Sequence, residues 1–256
     1  MVKNIMKKSY SFLIYLFLYL PILLLILYSF NDSKYRGNWN GFTLRWYKEL
    51  FNDTSIMTSL YYTFIIAAVA SIIATIIGTI TALAINKMKP KSKSAFLNIT
   101  YIPVVNPDIV IGVSLLALFT WLKMTLGLTT ILIAHITFTI PYVVLSVLPK
   151  LKQLNPHLEE AALDLGASPL YAFFKVVLPE IMPGIVTGAL FAFTLSLDDF
   201  IVSFFTTGSG ISTLSIKIYS MTKRGVSPKI NALFTLMFLG VLILLLIIEK
   251  RTKKSK

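Results

Sequence analysis

Long apolar runs decide what this chain can fold into. Six of them, each near the ~20 residues that a bilayer-spanning helix needs, follow one another along 256 residues. They cover residues 12–30, 56–85, 100–122, 129–148, 184–205 and 232–248. The chain is 56% hydrophobic and only 14% charged, which is far too apolar for an ordinary soluble domain. We therefore predict an all-α membrane protein with six transmembrane helices in a single domain over residues 1–256.

The basic residues indicate the orientation. The formal net charge of +13 would suit nucleic acid, but lysines cluster at the ends of apolar runs, as in membrane proteins, so no nucleic-acid partner is predicted. With the N-terminus in the cytoplasm, inside segments hold fifteen basic residues and outside segments nine. Both termini and the stretch 155–179 are then cytoplasmic. The run 12–30 is too long for a signal peptide and is predicted to remain as the first span.

The stretch 155–179, called the insert below, predicts two short helices between apolar runs. Asn155 is a suitable N-cap, and Pro156 fits the first turn because its missing N–H is not needed there. Gly166 is suited to end this helix with a positive φ. Two glutamates near the helix start are favoured by its dipole.

The second helix of the insert repeats the same signal. Ser168 and Pro169 form the cap and first turn, and Pro179 is predicted to end the helix. The first helix has an apolar face, expected to lie on the body of the protein, made of Leu158, Ala161, Ala162 and Leu165. Its opposite, polar face, expected to meet something in the cytosol, holds His157, Glu160 and Asp164.

Three of the eleven acidic residues lie within apolar runs, where an ionised carboxylate costs roughly 2.5–3.5 kcal/mol. Asp108 follows Asn106-Pro107, and Asn106 is expected to cap a restarted helix; Asp108 is then either a first-turn acid or a residue of a solute path. Asp198 and Asp199 are expected about 21 Å along the fifth span. No lysine or arginine lies in that run, so function is favoured over an ion pair with a sister subunit.

An acidic, aromatic-lined path favours cations, and spaced carboxylates suit a flexible organic polycation better than a compact metal ion. Trp39, Trp46 and Tyr47 in the first outer loop are typical interfacial anchors, with an aromatic wall at an outer gate as the alternative. His135 is predicted to be a hydrogen-bonded interior histidine. No catalytic or metal site is predicted. The chain also lacks a phosphate-binding loop, so it cannot be an ATPase itself.

One motif resembles a known family. Glu160-Ala161-Ala162, three residues, Gly166, nine residues and then Val176-Val177-Leu178-Pro179 resemble the EAA loop of bacterial ABC importer permeases, with Val176 in place of the usual isoleucine. In that family the loop is a coupling helix that docks in a cleft of the ATP-hydrolysing subunit. The resemblance assigns coupling to Glu160, Ala161, Ala162, Gly166, Ala167 and Ser168.

Other segments resemble the spermidine/putrescine permease subunits of these importers. They are 106–110, 195–199, 217–221 and 225–228, and Trp46 lies in a matching Phe-Thr-x-x-Trp-Tyr context. The resemblance implies the type I ABC importer permease fold and a multi-pass subunit of the bacterial cell membrane. Its partners would be a second homologous permease, a dimer of ATPase subunits that hold ATP and Mg, and an extracytoplasmic polyamine-binding protein. It implies no cofactor in this chain and a polyamine passage served by Trp46, Asp108, Ser196, Asp198 and Asp199.

Three alternatives stay open from the residues themselves. An ABC importer permease for another solute, such as iron or an organic phosphonate, would keep the same coupling loop, although an anionic solute would not need membrane aspartates. An intramembrane aspartyl protease needs two aspartates on separate helices, which Asp108 and Asp198 match only superficially because their Pro-Asp and Leu-Asp flanks do not fit. A secondary transporter would leave the coupling loop without a purpose.

Overall fold

In a computed structural model of this chain, the described backbone covers residues 2–33, 38–155, 157–223, 225 and 227–254, and the described side chains begin at Lys7 and end at Leu242. Over that part of the chain the elements are helical, apart from an isolated β-bridge between Asn31 and Phe42. The helices are α1 Val2–Ser29, α2 Arg45–Phe51, α3 Thr54–Lys87, α4 Pro90–Val105, α5 Asp108–Trp121, α6 Leu128–Gln153, α7 His157–Asp164, α8 Pro169–Ala172, α9 Leu178–Asp198, α10 Ile201–Thr206, α11 Leu214–Lys223 and α12 Pro228–Lys254. A π-helical turn, Phe173–Val177, joins α8 to α9.

Among the described residues, four stretches are long and apolar enough to cross a membrane, and α4 with α5 makes a fifth if that bent pair is one span. The four are Lys7–Ser29, Thr54–Lys87, Leu128–Gln153 and Pro169–Asp198. The predicted sixth span, 232–248, lies in α12, and its side chains beyond Leu242 fall outside the described residues. Pro156, the predicted first-turn proline, falls outside them as well.

The third apolar run is two helices rather than one, because the chain bends by 104° between α4 and α5. α4 passes through Pro103, and the bend comes at Asn106 and Pro107. A following proline disfavours helical geometry, and Asn106 is extended, with ψ 143°. The prediction that Asn106 caps α5 is wrong: Pro107 holds the cap position, and no side chain caps that helix.

The chain divides into two compact units, residues 1–58 with 217–256 (unit 1) and residues 59–216 (unit 2). In unit 2, α9 packs on α6 along a stripe of small buried residues at every fourth position. This small-residue stripe is Gly184, Gly188, Ala192 and Ser196. A β-carbon at Gly188 would lie 3.0 Å from the Cα atom of Val143, so the backbones approach too closely for a larger side chain.

Unit 1 holds α1, α2 and α12, and Trp46 anchors the segment between α1 and α3. This indole is only 3% exposed and donates a hydrogen bond from Nε1 to the carbonyl oxygen of Asn31 at 2.7 Å. Asp53 accepts a hydrogen bond from the amide of Ile56 at the start of α3 (3.2 Å) and pairs with Lys229 near the start of α12 (3.1 Å). Asp53 therefore ties together two elements that are far apart in the sequence.

We expect Asp53→Asn to lower the thermal unfolding midpoint of the purified complex by the same amount at pH 7 and pH 5, at a cost of about 1 kcal/mol. Burial raises the pKa of Asp53, but the hydrogen bond and charge of Lys229 and the Ile56 amide outweigh it, so the pKa lies below the ordinary 3.8. A lowered carboxyl pKa stabilises the fold above the unfolded pKa, and this contribution is lost as the pH falls through the folded one. Asp53→Ala, which also removes the cap, should cost more. A midpoint difference that narrows between pH 7 and pH 5 would contradict the ion pair.

We expect Gly188→Ala to destabilise the assembled protein by about 1–3 kcal/mol, because its methyl group meets the α6 backbone. Gly240→Ala is the matched control on another apolar helix, since a β-carbon there has nothing within 4 Å. Thermal unfolding in detergent measures both variants. Equal unfolding midpoints for the two variants would contradict the close contact between α6 and α9.

Candidate functional site

The fifth apolar run is interrupted at residues 198–200, called the break below. α9 ends at Asp198, Asp199 has an extended ψ of 130°, and α10 begins at Ile201. The Asp199 carboxylate accepts hydrogen bonds from the amides of Val202 (3.2 Å) and Ser203 (2.7 Å), so it caps the start of α10. The prediction that both aspartates lie along one continuous helix is therefore wrong, because Asp199 bonds to the backbone ahead of it.

The two adjacent aspartates have different surroundings. The Asp199 side chain is only 8% exposed, whereas Asp198 is exposed. Asp108, the first residue of α5, is exposed as well, and its carboxylate interacts electrostatically with those of Asp198 and Asp199 and with the hydroxyl of Tyr142. Three of the predicted passage residues therefore share one acidic neighbourhood in unit 2. Within the described part of the chain, no metal-binding group of three or more His, Cys, Asp or Glu side chains is found.

His135 of α6 lies beside the break and is fully buried. Its Nδ1 atom is 2.6 Å from Oγ of Ser196, and its Nε2 atom is 3.0 Å from Oγ of Ser203. The prediction of a hydrogen-bonded interior histidine is confirmed. Ser196, predicted to serve the passage, is 3% exposed and turned toward α6. The small-residue stripe on α9 is the sequence signal that could have predicted this orientation.

Trp46, the fifth predicted passage residue, belongs to unit 1, whereas the other four belong to unit 2. Its indole is buried, its N–H is engaged, and the guanidinium carbon of Arg45 lies 4.3 Å from the ring centroid. Trp39, by contrast, is 56% exposed. Within unit 1, Trp46 is thus a packed residue of α2.

A groove of about 230 Å³ lies at the bend between α4 and α5. It is lined by Ile102, Pro103, Asn106, Val110, Ile111, Ser114, Leu115, Thr137 and Phe138. None of the three aspartates lines it, and the lining is mostly apolar. The acidic neighbourhood, not this groove, is the chemically suitable place for a cation.

The insert is folded as its caps predict. Oδ1 of Asn155 accepts a hydrogen bond from the amide of His157 at 3.0 Å, at the start of α7. Gly166 has a φ of 87°, and its amide donates to the carbonyl of Leu163, while the amide of Ala167 donates to that of Ala162. These two bonds form the Schellman arrangement that ends a helix at a left-handed glycine.

The second part of the insert begins as predicted but does not end as predicted. Oγ of Ser168 accepts a hydrogen bond from the amide of Tyr171 at 3.3 Å, with Pro169 in the first turn. Pro179 was expected to stop this helix, and that prediction is wrong. The π-helical turn carries the chain directly into α9, and Pro179 lies in the first turn of α9, where a missing N–H is tolerated.

The apolar face of α7 is only partly covered, since two of its four predicted residues are half-buried. No residue of α7 is buried, and Leu165, expected on the packed face, is 89% exposed. In the predicted coupling motif, Glu160 is exposed and bonds to His157 at 3.0 Å, and a β-carbon at Gly166 would have nothing within 4 Å. An exposed ion pair of 3.5 Å joins Glu159 to Lys87 at the end of α3. The insert therefore presents both a polar and an apolar surface.

Comparison with known proteins identifies the family. Residues 74–249 match the family described as the inner membrane component of binding-protein-dependent transport systems. The spermidine/putrescine transport system permease protein PotC of Haemophilus influenzae is 38% identical over 250 residues, covering 98% of this chain and 97% of that protein. The putrescine transport system permease protein PotI of Escherichia coli K12 is 43% identical over 227 residues, covering 86% of this chain and 81% of that protein.

A solved bacterial ABC transporter involved in the import of alginate has the same fold. The TM-score is 0.73 over 97% of this chain and 94% of that chain, at 16% sequence identity. Likeness at that level of identity concerns the fold alone. Taken with the matched family and the two permease relatives, it shows that this chain belongs to the family of binding-protein-dependent transport system inner membrane components and has the type I ABC permease fold.

Proposed function

We propose that this chain is a permease subunit of an ATP-driven importer that moves polyamines, spermidine or putrescine, into the cytoplasm. The observation that carries this proposal is the 38% and 43% identity, over most of the chain, to two polyamine permeases. The acidic neighbourhood supplies a physical reason. Asp108, Asp198 and Asp199 interact in a region whose apolar runs contain no lysine or arginine. Such a site attracts amines and repels anions.

In this proposal the chain forms a single six-span membrane domain with both termini in the cytoplasm. Its partners are a second homologous permease, two ATPase subunits that bind ATP and Mg, and an extracytoplasmic polyamine-binding protein. ATP binding by the partners moves the insert, and the membrane helices then change the side from which the passage is open. The permease itself contributes no hydrolytic chemistry.

The geometry supports different roles for the predicted passage residues. Asp198 is exposed, so we assign it, with Asp108, to direct contact with the ammonium groups of the solute. Asp199 is hydrogen-bonded to the backbone of α10, and Ser196 is hydrogen-bonded to His135. For these two, and for the buried Trp46, we propose roles in holding the elements around the passage.

We expect Asp198→Asn to raise the apparent KM for spermidine uptake about tenfold, while assembly and the maximal rate stay near those of the unaltered complex. An ion pair with an ammonium group contributes roughly 1.5–3 kcal/mol, and 1.4 kcal/mol is a tenfold change. The measurement is radiolabelled uptake in proteoliposomes holding the whole assembly. Glu180→Gln, an exposed acid in the first turn of the same helix, is the matched control. Asp199→Asn should also lower uptake, through loss of one α10 bond. Unchanged uptake in both aspartate variants would contradict the passage assignment.

We expect Gly166→Val to raise the number of ATP molecules hydrolysed per polyamine imported. Gly166 has a positive φ that costs other residues roughly 1–2 kcal/mol, so the substitution distorts the turn that leads from α7 to α8. Gly210→Val is the matched control, since Gly210 has a φ of 94° and equally open surroundings but lies outside the insert. Asparagine tolerates this conformation, so Gly166→Asn adds a side chain with little backbone strain. Comparing it with Gly166→Val separates the effect of strain from the effect of contact with a partner. An unchanged ratio of ATP hydrolysed to polyamine imported in Gly166→Val would contradict the docking role of the insert.

A further inference from the structure

Buried polar side chains around the break form a hydrogen-bond network. The proposed contact between a cation and Asp198 does not explain why this network is present. His135 and Ser203 are fully buried, and Ser196 is 3% exposed. Because Ser196 belongs to the last turns of α9 and Ser203 to α10, the imidazole ring of α6 joins both sides of the break. A buried histidine with both ring nitrogens engaged is held in one orientation.

The surroundings select the direction of the hydrogen bonds. Nε2 of His135 lies 3.6 Å from Oδ2 of Asp199 in addition to its contact with Ser203. A lone pair on Nε2 would face that carboxylate, whereas an N–H presents positive charge to it, so electrostatics favours the Nε2–H tautomer. Nε2 then donates to Ser203, and Ser196 donates to Nδ1. The Ser203 hydroxyl also interacts with the Asp199 carboxylate, which places Asp199 at the end of a continuous chain of donors.

A second hydrogen bond holds the C-terminal end of α10 against α6. Oγ1 of Thr130 in α6 donates to the carbonyl oxygen of Thr206, the last residue of α10, at 2.8 Å in a buried position. α10 has six residues, which is too short to be stable without outside contacts. It is therefore held by α6 at two points, by His135 near its middle and by Thr130 at its end.

We propose that His135 is a positioning residue that clamps α10 to α9, so that Asp199 stays bound to the backbone and only Asp198 of this adjacent pair faces the solute. This inference rests on the proposed polyamine function. Without the clamp, α10 moves relative to α9, Asp199 leaves its amides part of the time, and the cation meets carboxylates in varying positions. The clamp thus sets the geometry of binding rather than the rate of ATP hydrolysis.

The first experiment measures the distance between α9 and α10 in the absence of any solute. The chain contains no cysteine, so spin labels can be attached to cysteines introduced at Val186 in α9 and Phe204 in α10, both about half exposed, in a complex with cysteine-free partners. We expect a single narrow distance distribution for the unaltered chain and a broad one for His135→Leu. His135→Gln, whose amide can bond to both serines, should narrow it again. Distributions of equal width for the unaltered chain and His135→Leu would overturn the proposal.

The second experiment measures how the complex responds to spermidine in proteoliposomes that hold the whole assembly. We expect Ser203→Ala to raise the apparent KM of spermidine-stimulated ATP hydrolysis about fivefold, the effect of one lost hydrogen bond, with the maximal rate changed less than twofold. Ser203→Ala keeps the backbone amide that bonds to Asp199, so the chain should still assemble. Ser71→Ala is the matched control, a buried serine of α3 whose hydroxyl donates to the carbonyl oxygen of Ala68 in its own helix.

An unchanged KM in Ser203→Ala, or a lower maximal rate with the same KM, would overturn the positioning role. Failure of the polyamine function has a different signature. The unaltered complex would then show no stimulation by spermidine, while the label distances would still report on the clamp.

Discussion

The close packing of α9 on α6 is the contact on which the rest of unit 2 depends. The small-residue stripe lets the two backbones approach to the point where a β-carbon at Gly188 would lie 3.0 Å from the Cα atom of Val143. Lipid tails are as apolar as side chains, so helices in a bilayer associate through such close contact rather than through the hydrophobic effect. The fourth residue of the stripe is Ser196, which therefore arrives opposite His135. The polar network at the break takes its register from apolar packing about two turns away.

The break resolves a conflict between charge and membrane. An ionised carboxylate within a span costs roughly 2.5–3.5 kcal/mol, and this chain has two in succession. Asp199 offsets part of this cost by accepting two backbone hydrogen bonds at the start of α10, where the helix dipole adds about 0.3–1 kcal/mol. Asp198 remains exposed on the surface of this chain. Ending one helix and starting another thus converts two equivalent charges into a capped one and an open one.

Local signals were predictable because they act over three or four residues. The Ser168 cap and the positive φ of Gly166 follow from residue type and spacing, and the structure has both. The break was not predictable from hydropathy, because the residues on both sides are equally apolar and neither proline nor glycine marks it. The bend at Asn106 and Pro107 was marked by proline, but its angle of 104° depends on packing between distant segments. The same limit applies to the stripe: its spacing shows that α9 has a packing face, whereas the choice of α6 as partner is non-local.

The insert shows how docking and folding become linked in the proposed complex. α7 has eight residues and no buried side chain, whereas isolated helices shorter than about 12–15 residues are marginal in water. Its caps satisfy the backbone at both ends but leave Leu165 almost fully exposed. Covering that one side chain would contribute roughly 1.5–3 kcal/mol, which is comparable to the stability that a helix of this length lacks. A partner that binds only the folded form stabilises it by mass action, so an ATPase cleft that covers Leu165 would hold α7 folded. Movement of the cleft would then reach α9 directly, since the π-helical turn joins α8 to it without an intervening loop.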